Sequence, residues 1–229
     1  MQPYFIPYIG YWQLMNVADK FVVYDNIQFS KKGWFHRNRL LINGKDKLIT
    51  LPLKKDSDYL DVKDRYLAEL KEEEFIKILR IIKQNYSKAP YFKEIFPLVE
   101  DIFNYGNSNL FLFIEHSIVI IKGQLGIETE IIRSSNIPID HNNLKGKDKV
   151  IAIIKETGAS EYINTIGGEA LYNKADFINN GIKLKFIESN NIEYKQLKNE
   201  FIPWLSIIDI MMFNSIQEIK EFLKMYKLK

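Results

Sequence analysis

The sequence predicts an α/β protein with a mixed or mostly parallel sheet. Short β-branched and aromatic runs at residues 21–25 and 182–188 are typical of buried strands. Amphipathic segments fill residues 66–126 and predict a helical middle part. The last third of the chain alternates helix and strand patterns, which favours parallel strands joined by right-handed crossovers in an alternating βα part.

Each element of the N-terminal part follows from a local pattern. The first ten residues should be extended, because two prolines disfavour helix in the residues before them. Residues 11–18 have room for one or two helical turns before the strand at 21–25. Residues 40–53 should form a hairpin around an Asn-Gly turn. We therefore expect a Rossmann-like arrangement over residues 1–65.

The rest of the chain consists of predicted helices, with strands between them toward the C-terminus. Apolar stripes predict helices over residues 66–86, 91–104, 108–124, 146–157, 169–179, 205–213 and 215–226. Alternating or branched runs predict strands at 127–135, 161–165 and 182–188. The stripe of the first of these helices consists of Leu67, Leu70, Phe75, Ile78, Leu79 and Ile82.

Composition bounds the domain organisation and excludes several classes of function. A chain of 229 residues fits one compact unit, with a possible subdivision at 1–65, 66–126 and 127–229. Its 32 basic residues are spread among 29 acidic ones, so its net charge of +3 does not indicate nucleic-acid binding. With no cysteine and three scattered histidines, we expect neither a disulfide nor a metal site. The cofactor and the oligomeric state stay open.

The apolar segments bear on the cellular location of the protein. None approaches the ~20 residues of a membrane-spanning helix. The apolar start of the chain lacks the basic region of a signal peptide. These patterns favour a cytoplasmic protein without membrane insertion.

An aromatic segment at the N-terminus is the first candidate binding surface. Gln2, Tyr4 and Tyr8 stand beside prolines, in a stretch with three more aromatic rings before residue 13. A rigid aromatic loop is a good platform for stacking a sugar or a base. The alternative is that these rings pack the core, which is the more common fate of aromatic side chains.

The polar loop after the strand at 21–25 is the second candidate. Ligands of α/β sheets bind beyond the carboxyl ends of strands, where this loop should lie. Its Asp25 or His36 could move protons, and its basic residues could hold phosphates. The remaining candidates in the loop are Gln28, Lys32, Trp34, Arg37 and Asn38. A solvated basic loop is the alternative.

Two weaker signals lie in the C-terminal half. Gly167-Gly168 could let backbone amides approach an anion, although an ordinary turn explains the pair better. Asp209 interrupts an apolar helix and needs a partner if it is buried. It is therefore either a site residue or a structural hydrogen-bond acceptor.

At these residues the chain resembles the WbqC-like family. The resemblance rests on QPYFIPYIGYWQL at residues 2–14, on DKFVVYD at 19–25, and on Gln28, Lys32, Trp34 and the Arg37-Asn38 pair. It continues through GASEYINTIGGEALY at 158–172 and FIPWLSIID at 201–209, and so covers nearly the whole chain. Relatives commonly carry a short apolar strand before the Gln-Pro pair, which leaves the strand order of the N-terminal sheet open.

The resemblance implies a role in bacterial surface polysaccharide biosynthesis of the O-antigen type. Clusters of such genes often make nucleotide-linked amino sugars, so the sharpest hypothesis is transfer of a glycyl, aminoacyl or other acyl group to the sugar amine. An acyl or aminoacyl carrier protein is a possible donor. Asp25 or His36 would then act as the base, and Gln28 or Asn38 would orient the acyl oxygen. Lys32 and Arg37 would hold the diphosphate, while Tyr4, Tyr8 and Trp34 would stack on the sugar or base.

Three other functions stay open. An adenylating enzyme would use ATP, although the chain has no His-x-x-His motif. A glycosyltransferase would need an acidic pair, and Asp56-Ser57-Asp58 has that spacing without a preceding apolar strand. A non-catalytic protein would bind a sugar nucleotide without turnover.

Overall fold

The computed structural model describes residues 1–69, 71–198 and 200–229 and has a mixed α/β fold. Its helices are α1 (Ile9–Val17), α2 (Lys71–Tyr86), α3 (Phe92–Phe103), α4 (Leu110–Leu125), α5 (Gly146–Glu156), α6 (Lys174–Ile178), α7 (Ile207–Phe213) and α8 (Ile216–Phe222). Its strands are β1 (Lys20–Val23), β2 (Arg37–Ile42), β3 (Lys45–Thr50), β4 (Glu130–Arg133), β5 (Glu161–Thr165), β6 (Lys183–Ser189) and β7 (Tyr226–Leu228).

The strands form three small sheets rather than one continuous sheet. In the first sheet β1 pairs with β4 in parallel. In the last sheet β6 lies between parallel β5 and antiparallel β7, so the predicted parallel pairing in the C-terminal part is confirmed. The second sheet is the predicted hairpin of β2 and β3. It turns at Asn43 (φ 54°) and Gly44 (φ 72°), the left-handed pair that a two-residue hairpin turn requires.

Two predicted helices are shorter in the structure. The helix predicted from residue 66 begins at Lys71, because the backbone before it bonds to neighbouring segments: the Leu67 amide donates to the Ser108 carbonyl. Leu70 of the predicted stripe lies outside the described residues. The helix predicted over 169–179 is reduced to α6, which Asn173 caps.

Local geometry explains why α6 begins later than predicted, and a third helix also ends early. A 3₁₀ turn covers Ile166–Leu171, where Gly168 lies against the Asn164 side chain so closely that a Cβ would be 2.5 Å from its Nδ2. At the C-terminus α8 ends at residue 222, before the predicted end at 226, and the chain continues into β7, a strand that the sequence did not predict.

Buried side chains from the whole length of the chain form the main core. Helix α4 lies at its centre, begins at the Asn109 cap and ends at Gly126 in a left-handed conformation. A smaller apolar cluster joins α5, α6 and β6. Within the described residues, no helix is long and apolar enough to span a bilayer. The core thereby fixes the carboxyl ends of β1, β4 and β6, where polar residues collect.

Candidate functional site

Polar side chains gather where β1 and β4 end. Asp25 follows β1, and Ser134 and Ser135 follow β4. Because the two strands are parallel, their carboxyl ends lie at the same edge of the sheet. This edge is the usual place for a ligand in an α/β fold.

Hydrogen bonds favour the charged form of the Asp25 carboxyl group. Ser134 Oγ donates to Asp25 Oδ1 at 2.8 Å, and the Ser135 backbone amide donates to the same oxygen at 2.9 Å. Burial opposes the charge, but the hydrogen bonds from Ser135 and Ser134 outweigh it and lower the pKa of Asp25. The Ser135 side chain contributes a further hydrogen bond, and Asp25 is almost fully covered.

Asn26 connects this carboxylate to a histidine. Its side-chain oxygen shares the single proton of Ser134 Oγ with Asp25 Oδ1, and its Nδ2 donates to His141 Nδ1 at 3.0 Å. His141 Nε2 donates in turn to the Ile137 carbonyl at 2.8 Å. These two partners assign the proton of a neutral ring to Nε2, so His141 positions Asn26 through a fixed tautomer.

Lys149 of α5 brings a buried amine to the same edge. Its side chain is almost fully covered, and its Nζ lies 5.3 Å from the centre of the Tyr24 ring. Burial lowers the pKa of Lys149, although the negative charges of Asp61 and Asp25 partly counteract it. Burial also raises the pKa of Tyr24 to about 12.

Together these groups form what we call the Asp25 cluster: Tyr24, Asp25, Asn26, Ser134, Ser135, His141 and Lys149. The carboxylate can attract a cationic group, and a lysine whose pKa is lowered by burial is more readily deprotonated than an exposed one. Of this set the sequence interpretation selected only Asp25. The two serines were placed inside a predicted strand, although two hydroxyls beside its end are a recognisable signal.

His36 lies apart from this cluster, just before β2. Its ring packs 5.3 Å from the Phe29 ring. Burial, assisted by the positive charges of Arg37 and Arg65, lowers the pKa of His36 to about 4. Its Nδ1 is buried and has no hydrogen-bond partner in the described part of the chain. His36 is therefore neutral at neutral pH, and its role as a base stays a proposal.

The predicted aromatic segment divides between two places. Gln2 accepts a 3.0 Å hydrogen bond from the Tyr4 hydroxyl, next to Met1, which bonds to the β1 backbone. Tyr8 points elsewhere: its ring contacts Trp204 with centroids 5.7 Å apart. The segment thus runs from the edge of β1 to a second surface.

The basic loop residues surround Trp34. The guanidinium groups of Arg37 and Arg39 lie 5.8 and 5.7 Å from its ring centre. Arg37 also donates to the backbone carbonyls of its own turn, at 2.6 Å to that of Lys32, whose side chain is exposed. Trp34 and Arg37 are therefore in contact beside the backbone of Lys32, and their role in holding a phosphate stays a proposal.

Gln28 lies near the start of the same loop and contacts the neighbouring loop that carries the acidic pair. It is exposed and donates to the Asp58 carbonyl, while the Asp58 carboxylate forms an ion pair with Lys31 at 2.8 Å. Among residues 1–69, 71–198 and 200–229, no group of three or more His, Cys, Asp or Glu side chains is placed to hold a metal ion.

Asn38 is occupied by backbone partners. Its Nδ2 donates to the carbonyls of Phe5 and Ile6 at 2.8 and 2.9 Å, and its Oδ1 accepts from the Arg39 amide. The Ile6 carbonyl also accepts from Ser206 Oγ at 2.7 Å. Asn38 thereby shapes the first loop from inside, and its amide has no group left to orient an acyl oxygen.

Asp209 lies in the core and accepts three hydrogen bonds. Tyr86 donates to Oδ1 at 2.7 Å, and Tyr194 and Gln196 donate to Oδ2 at 2.6 and 2.8 Å. Burial raises the pKa of Asp209 despite these donors. It is fully covered, which matches the structural-acceptor alternative stated from the sequence.

Comparison with known proteins places this chain in a family. A family model described as the WbqC-like protein family matches residues 2–221, a range that includes the whole Asp25 cluster. The chain is 28% identical over 233 residues to the uncharacterized protein Rv1507c of Mycobacterium tuberculosis (strain ATCC 25618 / H37Rv). That alignment covers 98% of this chain and 96% of the relative. No solved structure matches the chain.

Proposed function

Because this chain belongs to the WbqC-like protein family, we propose that it transfers a glycyl, aminoacyl or other acyl group to the amine of a nucleotide-linked amino sugar. The family's association with polysaccharide gene clusters supplies the substrate class. The observation that carries the proposal is that the Asp25 carboxylate and the buried Lys149 amine, which lies against the neighbouring Tyr24 ring, are found at one sheet edge. The Lys32, Trp34 and Arg37 surface would hold the nucleotide diphosphate.

Asp25 would bind the amine rather than deprotonate it. A lowered pKa makes a carboxylate a weak base but keeps it charged, and the ammonium form of an amino sugar is attracted to that charge. Lys149 is the better proton acceptor, because burial favours its neutral form and a neutral amine is a stronger base than a carboxylate. Asp25 would therefore bind the amine, and Lys149 would transfer the proton.

The chemical step needs no nucleophile from the protein. The neutral sugar amine attacks the acyl carbon of a thioester donor, a C–N bond forms and the C–S bond breaks. The ammonium bound by Asp25 first releases one proton to solvent, which gives the neutral amine that attacks. Lys149 then takes the second proton from the nitrogen and passes it to the leaving thiolate. While protonated, Lys149 also stabilises the charge on the acyl oxygen. The absence of cysteine from the chain is compatible with this route.

The experiment pairs a panel of UDP-linked amino sugars with acetyl-CoA and with aminoacyl or acyl carrier proteins, with and without ATP. Products are detected by mass spectrometry, and we expect an acyl mass gain on an amino sugar. A dependence on ATP with release of pyrophosphate would favour the adenylating alternative. No mass gain on any sugar would contradict the transferase proposal.

Variants assign the roles. Asp25→Asn and Lys149→Met should each lower the rate at least 100-fold while the folded circular-dichroism spectrum is kept. The matched control is Lys147→Met on the same helix, whose Nζ forms an exposed ion pair with Asp176 at 2.7 Å. Full activity in Asp25→Asn would remove Asp25 from the mechanism.

A further inference from the structure

A second cleft opens between the end of β6 and the segment that leads into α7. It is a shallow, open depression that encloses only about 40 Å³, and its wall includes Tyr8, Asn190, Asn191, Tyr194, Phe201 and Trp204. Among the described residues that line it, none carries an ionisable acid or base other than tyrosine. In a chain with 27% charged residues, such a lining disfavours phosphates and favours a neutral ligand. We call this site the Trp204 cleft.

Trp204 exposes its indole in an unusual backbone conformation. The side chain is 58% exposed, although large aromatic side chains are buried on average. Its φ is +62°, a left-handed value that is an outlier for a bulky residue. The Tyr8 ring stands at 66° to the indole and contacts its edge region. The structure thus holds two aromatic rings at an angle at the mouth of the cleft.

Strained backbone is concentrated around this cleft. Of the non-glycine residues with positive φ in the described part of the chain, Asn43 belongs to the hairpin turn. The others are Ile6, two residues before Tyr8, Leu197, between two lining aromatics, and Trp204 itself. Such conformations persist only where surrounding structure imposes them, and they cluster at ligand sites.

The buried hydrogen bonds of Asp209 fix the cleft from below. Tyr194 lines the cleft and donates to Asp209, as does Gln196. The Gln196 side chain also accepts from the Ile202 amide at 2.8 Å and donates to the Ile202 carbonyl at 3.1 Å. Tyr194, Gln196 and Ile202 are therefore held in one geometry before any ligand arrives, which reduces the entropic cost of binding.

We propose that the Trp204 cleft binds the ring of a neutral saccharide. A pyranose has a C–H face that stacks on aromatic rings and a rim of hydroxyls that bond to amides. Trp204 and Tyr8 provide the rings. The half-buried Asn190 provides an amide whose side chain has no hydrogen-bond partner within the part of the chain described. This site goes beyond the acyl transfer at the Asp25 cluster and does not depend on it.

The test is a titration followed by indole fluorescence and by two-dimensional NMR. The probes are glucose, galactose, N-acetylglucosamine and N-acetylgalactosamine, with UDP as the charged comparison. We expect saturable binding of at least one neutral sugar, with the Trp204 indole signal shifted. Trp204→Ala should weaken it at least tenfold, whereas Tyr59→Ala, which removes an 86% exposed ring outside the cleft, should not.

Gly10→Ala keeps the test decisive if Trp204→Ala fails to fold. A Cβ at Gly10 would lie 2.5 Å from the Tyr8 ring, so the ring must move while α1 is retained. We expect weaker sugar binding with an unchanged melting temperature or a higher one. The proposal would be overturned if no neutral sugar binds, or if both cleft variants bind the sugar as tightly as the unmodified protein does. Sugar binding without acyl transfer would count against the proposed function alone.

Discussion

Tyr86→Phe probes the buried hydrogen bonds beneath the Trp204 cleft. The Tyr86 hydroxyl donates to Asp209 Oδ1 at 2.7 Å and accepts from the Leu41 backbone amide at 2.8 Å. Its loss removes a bond to a carboxylate, worth about 1.5–3 kcal/mol, and leaves a buried amide unpaired at about 1–3 kcal/mol. Because neighbouring losses are not additive, we expect the free energy of unfolding to fall by about 3 kcal/mol.

Tyr194→Phe is the matched control for this prediction. It removes one donor to the same carboxylate but leaves no backbone amide unpaired, so we expect a loss of about 1.5 kcal/mol. Urea denaturation followed by circular dichroism measures both values, and the dependence on urea should be unchanged. If the two variants differ by less than about 0.5 kcal/mol, the bond from Leu41 does not contribute as reasoned.

Three further predictions concern single elements. The pKa of His36 falls from 6.5 unfolded to about 4 folded, so the unfolded chain binds more protons in between. Stability should therefore fall as the pH drops through that window, by up to about 3 kcal/mol. His36→Phe should flatten the dependence of the urea midpoint on pH, and an unchanged slope would contradict this. Asn109→Ala removes the N-cap side chain that accepts from the Leu112 amide, so the free energy of unfolding measured by urea denaturation should fall by about 1 kcal/mol. An unchanged free energy would show that this cap does not stabilise the protein. Gly126→Ala places a side chain at φ +67° and should lower the melting temperature. The control is Gly123→Ala, at a glycine whose φ is not in the left-handed region.

The sequence predicts the fold well where local periodicity is strong. Strand β5 and helix α5 are found almost at their predicted bounds, because branched and amphipathic patterns dominate there. The burial of Lys149 could not be predicted, since its cover includes the Tyr24 ring from a distant strand. Local pattern contains no information about such a contact.

The candidate site shows the same division. Asp209 on an apolar helix predicts a buried acceptor, but its partner Tyr86 stands 123 residues earlier in the chain. The sequence places Asn38 at the end of a polar loop, where it resembles a ligand-binding residue, but in the structure it belongs to β2. Its amide is used by the carbonyls of Phe5 and Ile6, which point inward only because the first loop bends there. Residue type indicates where polar groups collect, whereas tertiary contacts decide which of them face a ligand.

The Ile6 carbonyl has a consequence for how the chain folds during synthesis. It accepts from Asn38, 32 residues away, and from Ser206, 200 residues away. The first loop to leave the ribosome therefore cannot complete its hydrogen bonds until almost the whole chain has emerged. A protein truncated before α7 should consequently lose the shape of its N-terminal loop, at the opposite end of the sequence from the deletion.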